Sequence, residues 1–552
     1  MSKKPLFIPI LLFFIAASLR TILLDRIPTG IVNDNMIFVL NAKAFFYTGH
    51  DVTGKWNPLS FTPLPDEPAQ AELPYIYLSP IIGALPSSSR IAFITGLVAA
   101  FNPWNIFFGR SAFETSLAVF FYVLAFYVLL NTTGWKKLLA FIPLTLGFYT
   151  YMAYKVTLIP YITTLSIFIW TQIDKRKYLK QYVLLIALCL GISLLFLFNA
   201  YQRKNINRVN EASFYSTENM SKQVDLERRI AIKNQFSNIF SNKGVLATKF
   251  IIGKYIGAFS PSNLFVDSEK LLRFHIYNHG HFYYIDLLFL IIGFCYLLAK
   301  QRKLWILLTT IVLISPLPTI VSNEGVTYVM RSSLYIPFLS IFIGAGIWYS
   351  LTVIKTKTYL VASSLLIGGI YLVLIGNFLY TYFFIQPVFA SEGQAFSSRV
   401  LSRCIELARL ENKETSVLLG SPRMQFKDYV YYSNIYNKQT SEEIRNAFLQ
   451  HNYTFKNVSF NTCEGIKEIY KNNIYIFDAT NRCPIFNNVK STLSIVQLTD
   501  SGALYNIYHD TVCSKFTLRS YIADLTFNDL AVEKLSLKNF CEAFIIKYPE
   551  VK

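Results

Sequence analysis

Long apolar runs recur along this chain, broken by short polar connections. A helix needs about 20 mostly apolar residues to cross the hydrocarbon of a bilayer. That spacing predicts crossings at 6–24, 111–130, 138–154, 156–172, 182–200, 283–300, 303–321, 334–352 and 358–380. Between Pro74 and Arg110, two shorter apolar runs are split by Pro86 and three serines. They either cross as short tilted helices or lie re-entrant against the bundle, where protein covers their backbone. The predicted count is therefore nine or eleven spans.

The pattern changes outside these runs. "NDNMIFVLNAKAFFYTG" reads as a capped amphipathic helix lying along the membrane, with Met36, Ile37, Leu40, Ala44 and Phe45 on one face and Gly49 ending it. Beyond residue 384, "SVLLGS", "YVYYSNIY", "NIYIFDA" and "SIVQL" read as short strands, and "TSEEIRNAFLQ" as a capped amphipathic helix. The predicted fold is a polytopic α-helical membrane protein with external juxtamembrane helices, followed by a small C-terminal α/β soluble domain. The membrane domain covers 1–384, with external loops at 25–74 and 201–282, and the soluble domain covers 385–552.

Composition sharpens this picture. The chain has 552 residues, 53% hydrophobic and 15% charged, with a net charge of +19. Soluble domains carry about 25% charged residues. The excess positive charge would suggest nucleic acid in a soluble protein. Here Lys3, Lys4, Lys136, Lys137, Lys175, Arg176, Lys177, Lys180, Lys300, Arg302, Lys303, Lys355 and Lys357 all fall on one side of the predicted spans. By the positive-inside rule that side is cytoplasmic, which makes a multi-pass plasma-membrane protein with a cytoplasmic N-terminus and an extracytoplasmic C-terminal domain. The lipid bilayer is the expected partner and nucleic acid is not. Five of the seven cysteines lie in the tail, where disulfides are permitted but their pairing is not readable. Cys189 and Cys295 sit inside spans as expected packing residues.

Candidate chemistry gathers in the outer loops. Asp34, between Asn33 and Asn35, is a solvated loop carboxylate or a helix cap on the plainer reading, and a general base on the chemical one. Asp51 and the pair Asp66–Glu67 read as turn residues. Arg110 and Glu114 stand four apart near one outer helix end. Tyr149, Tyr151 and Lys155 mark a tight outer turn, Arg273, His275, His279 and His281 precede a re-entry, and Glu324 and Arg331 share a short loop. Singly, each cation could be snorkelling. Together they suit a phosphate headgroup, which arginine grips with two donors.

The run "PTGIVNDN…NAKAFFYTGHDVTGKWNPL" resembles the first external loop of bacterial membrane glycosyltransferases of the C superfamily, relatives of the protein O-mannosyltransferases and the aminoarabinose transferase. "NPWNIFFGRSAFETS", "FYTYMAYKVTLIP", "KYIGAFSPSNLFV…RFHIYNHGHFYYID" and "SPLPTIVSNEGVTYVMRSS" resemble later blocks in the family's order, over about residues 20–350. The resemblance implies transfer of a sugar from a polyprenyl-phosphate donor to a hydroxyl of a glycan, lipid or protein on the outer face, with inversion. It implies Asp34 as the catalytic acidic residue, acting as base or metal ligand. It implies Arg110, Lys155, Arg273, His275 and Arg331 at the donor phosphate. Asn35, Tyr149, Tyr151, Glu114 and Glu324 are the candidates for contacts to sugar or acceptor. A divalent metal is compatible with that chemistry, though no ligand motif calls for one. Two departures stand out: Asn35 follows Asp34 where the family has Glu, and the stretch before the Pro-Trp block is short. An inactive homologue that binds lipid-linked sugars, or a carrier or flippase for them, is the alternative.

Overall fold

A computed structural model describes residues 7–31, 33–54, 90–111, 114–172, 179–202, 217–232, 236–321, 329–466, 468–480, 483–486, 493–500, 502–520 and 525–547. The chain is mostly helical. Its first helices are α1 (Phe7–Thr21), α2 (Asn33–Thr48), α3 (Arg90–Phe101), α4 (Pro103–Arg110), α5 (Glu114–Asn131), α6 (Phe141–Thr150), α7 (Met152–Gln172) and α8 (Leu179–Gln202). Among the described residues, five helices are long and apolar enough to cross a membrane: Glu114–Asn131, Leu179–Asn199, Arg302–Val321, Tyr335–Thr352 and Lys357–Phe389. Other predicted crossings are shorter helices, including α1 with 15 residues and Tyr284–Lys300 with 17. The predicted 138–154 span is α6 preceded by a 3-10 turn, Gly134–Ala140. Its break falls at Tyr151, which is extended at φ −142°, so Lys155 lies within α7 and not in the turn.

Packing in the bundle rests partly on two glycines. A Cβ at Gly293 would run into the Phe342 carbonyl, and one at Gly346 into the Phe289 carbonyl. The helices Tyr284–Lys300 and Tyr335–Thr352 therefore meet backbone to backbone, the close approach that small residues permit between apolar helices.

α2 forms as a helix over the predicted stretch. Met36, Ile37, Leu40 and Ala44 are buried, and Gly49 ends the helix at φ +72°, a conformation that glycine adopts without cost. Phe45 departs from the prediction and is exposed, because its position is rotated past the buried face. Asp51 is a turn residue, as expected: its Oδ1 accepts from Thr53 N and Thr53 Oγ1 at 2.9 and 2.7 Å. Asp66 and Glu67 lie outside the described residues.

The tail folds around a seven-stranded sheet of order β2-β3-β1-β4-β6-β5-β7. The strands are β1 (Thr415–Leu418), β2 (Thr454–Phe455), β3 (Val458–Asn461), β4 (Ile474–Asp478), β5 (Leu493–Val496), β6 (Ala503–Tyr508) and β7 (Ile545–Lys547). β1 runs parallel to β3 and β4, and the remaining pairs are antiparallel. Both faces are covered. Val417 and Ile476 join the main core, whereas Leu418, Tyr475 and Phe477 pack with Cys483 and Phe486 on the other side. Cys463–Cys483 and Cys513–Cys541 are disulfides, and Cys404, the odd fifth cysteine, is a buried thiol. Cys189 packs as expected, but Cys295 is exposed.

One predicted strand is a helix. The first half of "YVYYSNIY" forms the end of the helix Pro422–Tyr432, with Pro422 in its first turn and Phe426, Tyr429 and Val430 buried on one face. Spacings of three and four residues between them are helical, and they outweigh the local strand preference of Tyr and Val. The helix predicted in "TSEEIRNAFLQ" is Ser441–Leu449, yet Thr440 makes no side-chain cap. Its hydroxyl bonds the Ile435 carbonyl instead, at 2.5 Å.

Candidate functional site

The stretch between α1 and α2 reaches the candidate site through Arg110, at the end of α4. Asn102 caps that helix by accepting from Asn105 N at 3.0 Å. The Arg110 guanidinium is buried. It donates to the Ile27 carbonyl at 2.7 Å, the Leu19 carbonyl at 3.0 Å and the Tyr382 hydroxyl at 3.2 Å. Arg110 thus ties the end of α1 to the loop that leads into α2. These bonds engage three of its five donors with protein acceptors, so it serves the site as a clamp. Asp34 and Asn35 stand in the first turn of α2, and their side chains lie outside the described residues, as does Glu324.

The segment Ser268–Phe282 forms the next wall. His275 Nδ1 lies 2.7 Å from the Glu269 carbonyl, and its Nε2 lies 3.7 Å from Asp267. The Arg273 guanidinium sits over the Phe274 ring at 5.2 Å. Phe274 stacks with Phe108 of α4 at 6.1 Å, which joins this segment to the Arg110 helix. His279 and His281 are buried, and burial lowers the pKa of both. Among the described residues, no three His, Cys, Asp or Glu side chains converge on one point.

A second group of cations lies around Arg331, at the end of the short helix Val329–Ser332. Lys254, on the helix Lys243–Gly257, is buried, and its pKa falls below the ordinary value, first through burial and then through the charge of Arg331. Two cations are therefore held within electrostatic reach of each other. Hydroxyl pairs line the same region. Thr319 Oγ1 and Ser332 Oγ are 2.6 Å apart, and Tyr154 and Ser333 are linked at 3.0 Å. Through the Tyr154–Ser333 bond, the start of α7 meets the residue just after the Arg331 helix. Lys155, next to Tyr154, turns to aromatic rings, 4.4 Å from Phe196, 5.7 Å from Phe148 and 5.9 Å from Tyr149. Tyr149 and Tyr151 are buried, and Tyr151 packs beside Tyr154 at 5.9 Å. Glu114 is half-buried in the first turn of α5.

The sequence reading missed Lys254. Lys254 sits in "FIIGKYIG", an apolar helical context, and a lone lysine there is the available signal. The chain matches no protein-family model and no curated protein sequence.

Proposed function

We propose that the protein transfers a sugar from a polyprenyl-phosphate donor to a hydroxyl of a glycan, lipid or protein at the outer face of the plasma membrane. In this reading the chain is polytopic, with its N-terminus in the cytoplasm and its disulfide-bearing sheet domain outside. The five long apolar helices and the two disulfides support that placement. The observation that carries the chemistry is the buried Lys254, a helix lysine that feels the charge of Arg331. Cations kept near the outer ends of apolar helices suit an anionic ligand, and in this reading that ligand is the lipid phosphate.

In the reaction, the acceptor oxygen attacks the anomeric carbon from the face opposite the phosphate. The sugar–phosphate C–O bond breaks, and its electron pair leaves with the polyprenyl phosphate. Asp34 takes the acceptor proton. Lys254 and Arg331 stabilise the charge that grows on the leaving phosphate, with Lys155, Arg273 and His275 in the surrounding shell. Tyr149 and Tyr151 offer rings to the sugar. Asn35, which replaces the Glu of the resembled family, is the feature that favours the second reading, a non-catalytic binder or carrier.

The test is glycan transfer by the purified protein from a polyprenyl-phosphate sugar. Asp34→Asn is expected to reduce turnover by about 100-fold or more, as for loss of a general base. Lys254→Ala and Arg331→Ala are expected to weaken donor binding. Full turnover in Asp34→Asn would overturn the assignment of the base. Donor binding without transfer in the parent protein would favour the binder. EDTA treatment of the same assay reads any requirement for a divalent metal.

A further inference from the structure

We propose that the segment Gln386–Arg399 couples the first external loop to the Ser268–Phe282 segment, and that Gln386, Gln394 and Arg399 are positioning residues for the groups those two loops carry. The proposal rests on the transferase reading only for what those groups do. On one side, three side chains of the C-terminal region hold the backbone just ahead of α2. Gln394 Oε1 accepts from Thr29 N at 3.1 Å, Arg399 Nη1 donates to the Thr29 carbonyl at 2.8 Å, and the Tyr432 hydroxyl accepts from Ile31 N at 3.1 Å. Gly30 lies so close that a Cβ there would run into the Gln394 carbonyl. Asp34 follows in the first turn of α2. On the other side, Gln386 Oε1 accepts from Tyr277 N at 3.0 Å, and its Nε2 donates to the His275 carbonyl at 2.6 Å. Phe389 packs on His275 and Tyr277, with ring centroids at 5.3 and 4.7 Å. A Cβ at Gly393 would stand 2.7 Å from Arg273 N.

The two glycines make this a rigid joint, since neither contact can yield without moving backbone. Arg399 is fixed in turn by Glu533, which accepts from its Nε at 2.6 Å and its Nη2 at 2.5 Å. A paired guanidinium of this kind holds direction as well as charge. The base loop and the phosphate loop therefore share one mechanical frame, and a shift of either is carried to the other.

Hydrogen exchange on the full-length protein tests this. Gly393→Ala disturbs the Leu272–Arg273 side, and Gly30→Ala the Gln394 side. Each is expected to speed amide exchange about tenfold at both loops, α2's first turns and residues 268–277, while Tyr335–Thr352 stays protected. Tyr432→Phe removes a single hydroxyl and should produce the same pattern more weakly. Gly420→Ala, where a Cβ meets open space, is the control. Disturbance confined to the mutated side, or equal disturbance by Gly420→Ala, would overturn the coupling. In the transfer assay, Gln394→Ala should lower kcat with the donor KM unchanged, and Arg399→Lys should fall between it and the parent. A parent that transfers no sugar while exchange still spreads between the loops would remove the transferase reading and leave the coupling standing.

Discussion

His281 carries the clearest pH dependence at the scale of single residues. Its ring is fully buried, and neither nitrogen has a hydrogen-bond partner among the described residues. Burial, reinforced by the charge of His275, lowers its pKa from 6.5 to about 3. The folded state therefore refuses a proton that the unfolded chain accepts near 6.5. Stability is complete above that value and is lost as pH falls towards 3, on the order of 1.4 kcal/mol per pH unit. Melting His281→Phe in detergent across this range should give a flatter acid limb than the parent, and an unchanged slope would assign the loss elsewhere. The residue scale also marks what the sequence could yield. Asp34 was legible as a residue at a helix start because Asn-Asp-Asn ahead of an apolar period is a capping signal. Gln394 and Arg399 were not, because their partners lie 365 and 370 positions away, and no local pattern encodes such contacts.

At the scale of elements, apolar period and length carried most of the reading. The bundle helices fell near their predicted places because burial fixes them over many residues. "YVYYSNIY" failed as a strand because a short run with four Tyr and one Val satisfies two periods, and the tertiary packing of Phe426 and Tyr429 decides between them. The glycine crossing permits a direct test. Gly346→Val places a side chain against the Phe289 carbonyl, and overpacking of this kind costs about 1–3 kcal/mol or more. A melting temperature equal to that of the parent would mean the two helices can separate freely. A second test concerns Thr217–Ile230 and the residues after it. Ile230, Ile232, Ile239 and Phe240 are largely exposed, next to Arg228, Arg229 and Lys243. Apolar tips beside basic residues suit the headgroup boundary. A fluorophore attached at Ile232→Cys should be quenched by brominated lipid in nanodiscs. One attached at Leu449→Cys in the sheet domain should not.

For the whole molecule, redox state reports placement. The chain has seven cysteines, of which Cys189, Cys295 and Cys404 are free. Denatured without reductant, protein from intact cells should alkylate at these three and at all seven after reduction. Removing the longer bridge with Cys513→Ser and Cys541→Ser should cost about 2–4 kcal/mol and lower the melting temperature of the tail. Seven reactive thiols before reduction would argue for a reducing compartment and against the proposed topology.

The helix Lys357–Tyr380 buries little besides Phe378, and it runs directly into the Gln386–Arg399 joint. In the proposed setting its flanks face acyl chains, so its tilt follows the thickness of the surrounding leaflets. Any change in that tilt arrives at the segment holding both outer loops. Turnover in proteoliposomes should then rise and fall with acyl-chain length at constant headgroup. The host membrane would act as a tuner of the reaction through one loosely held post.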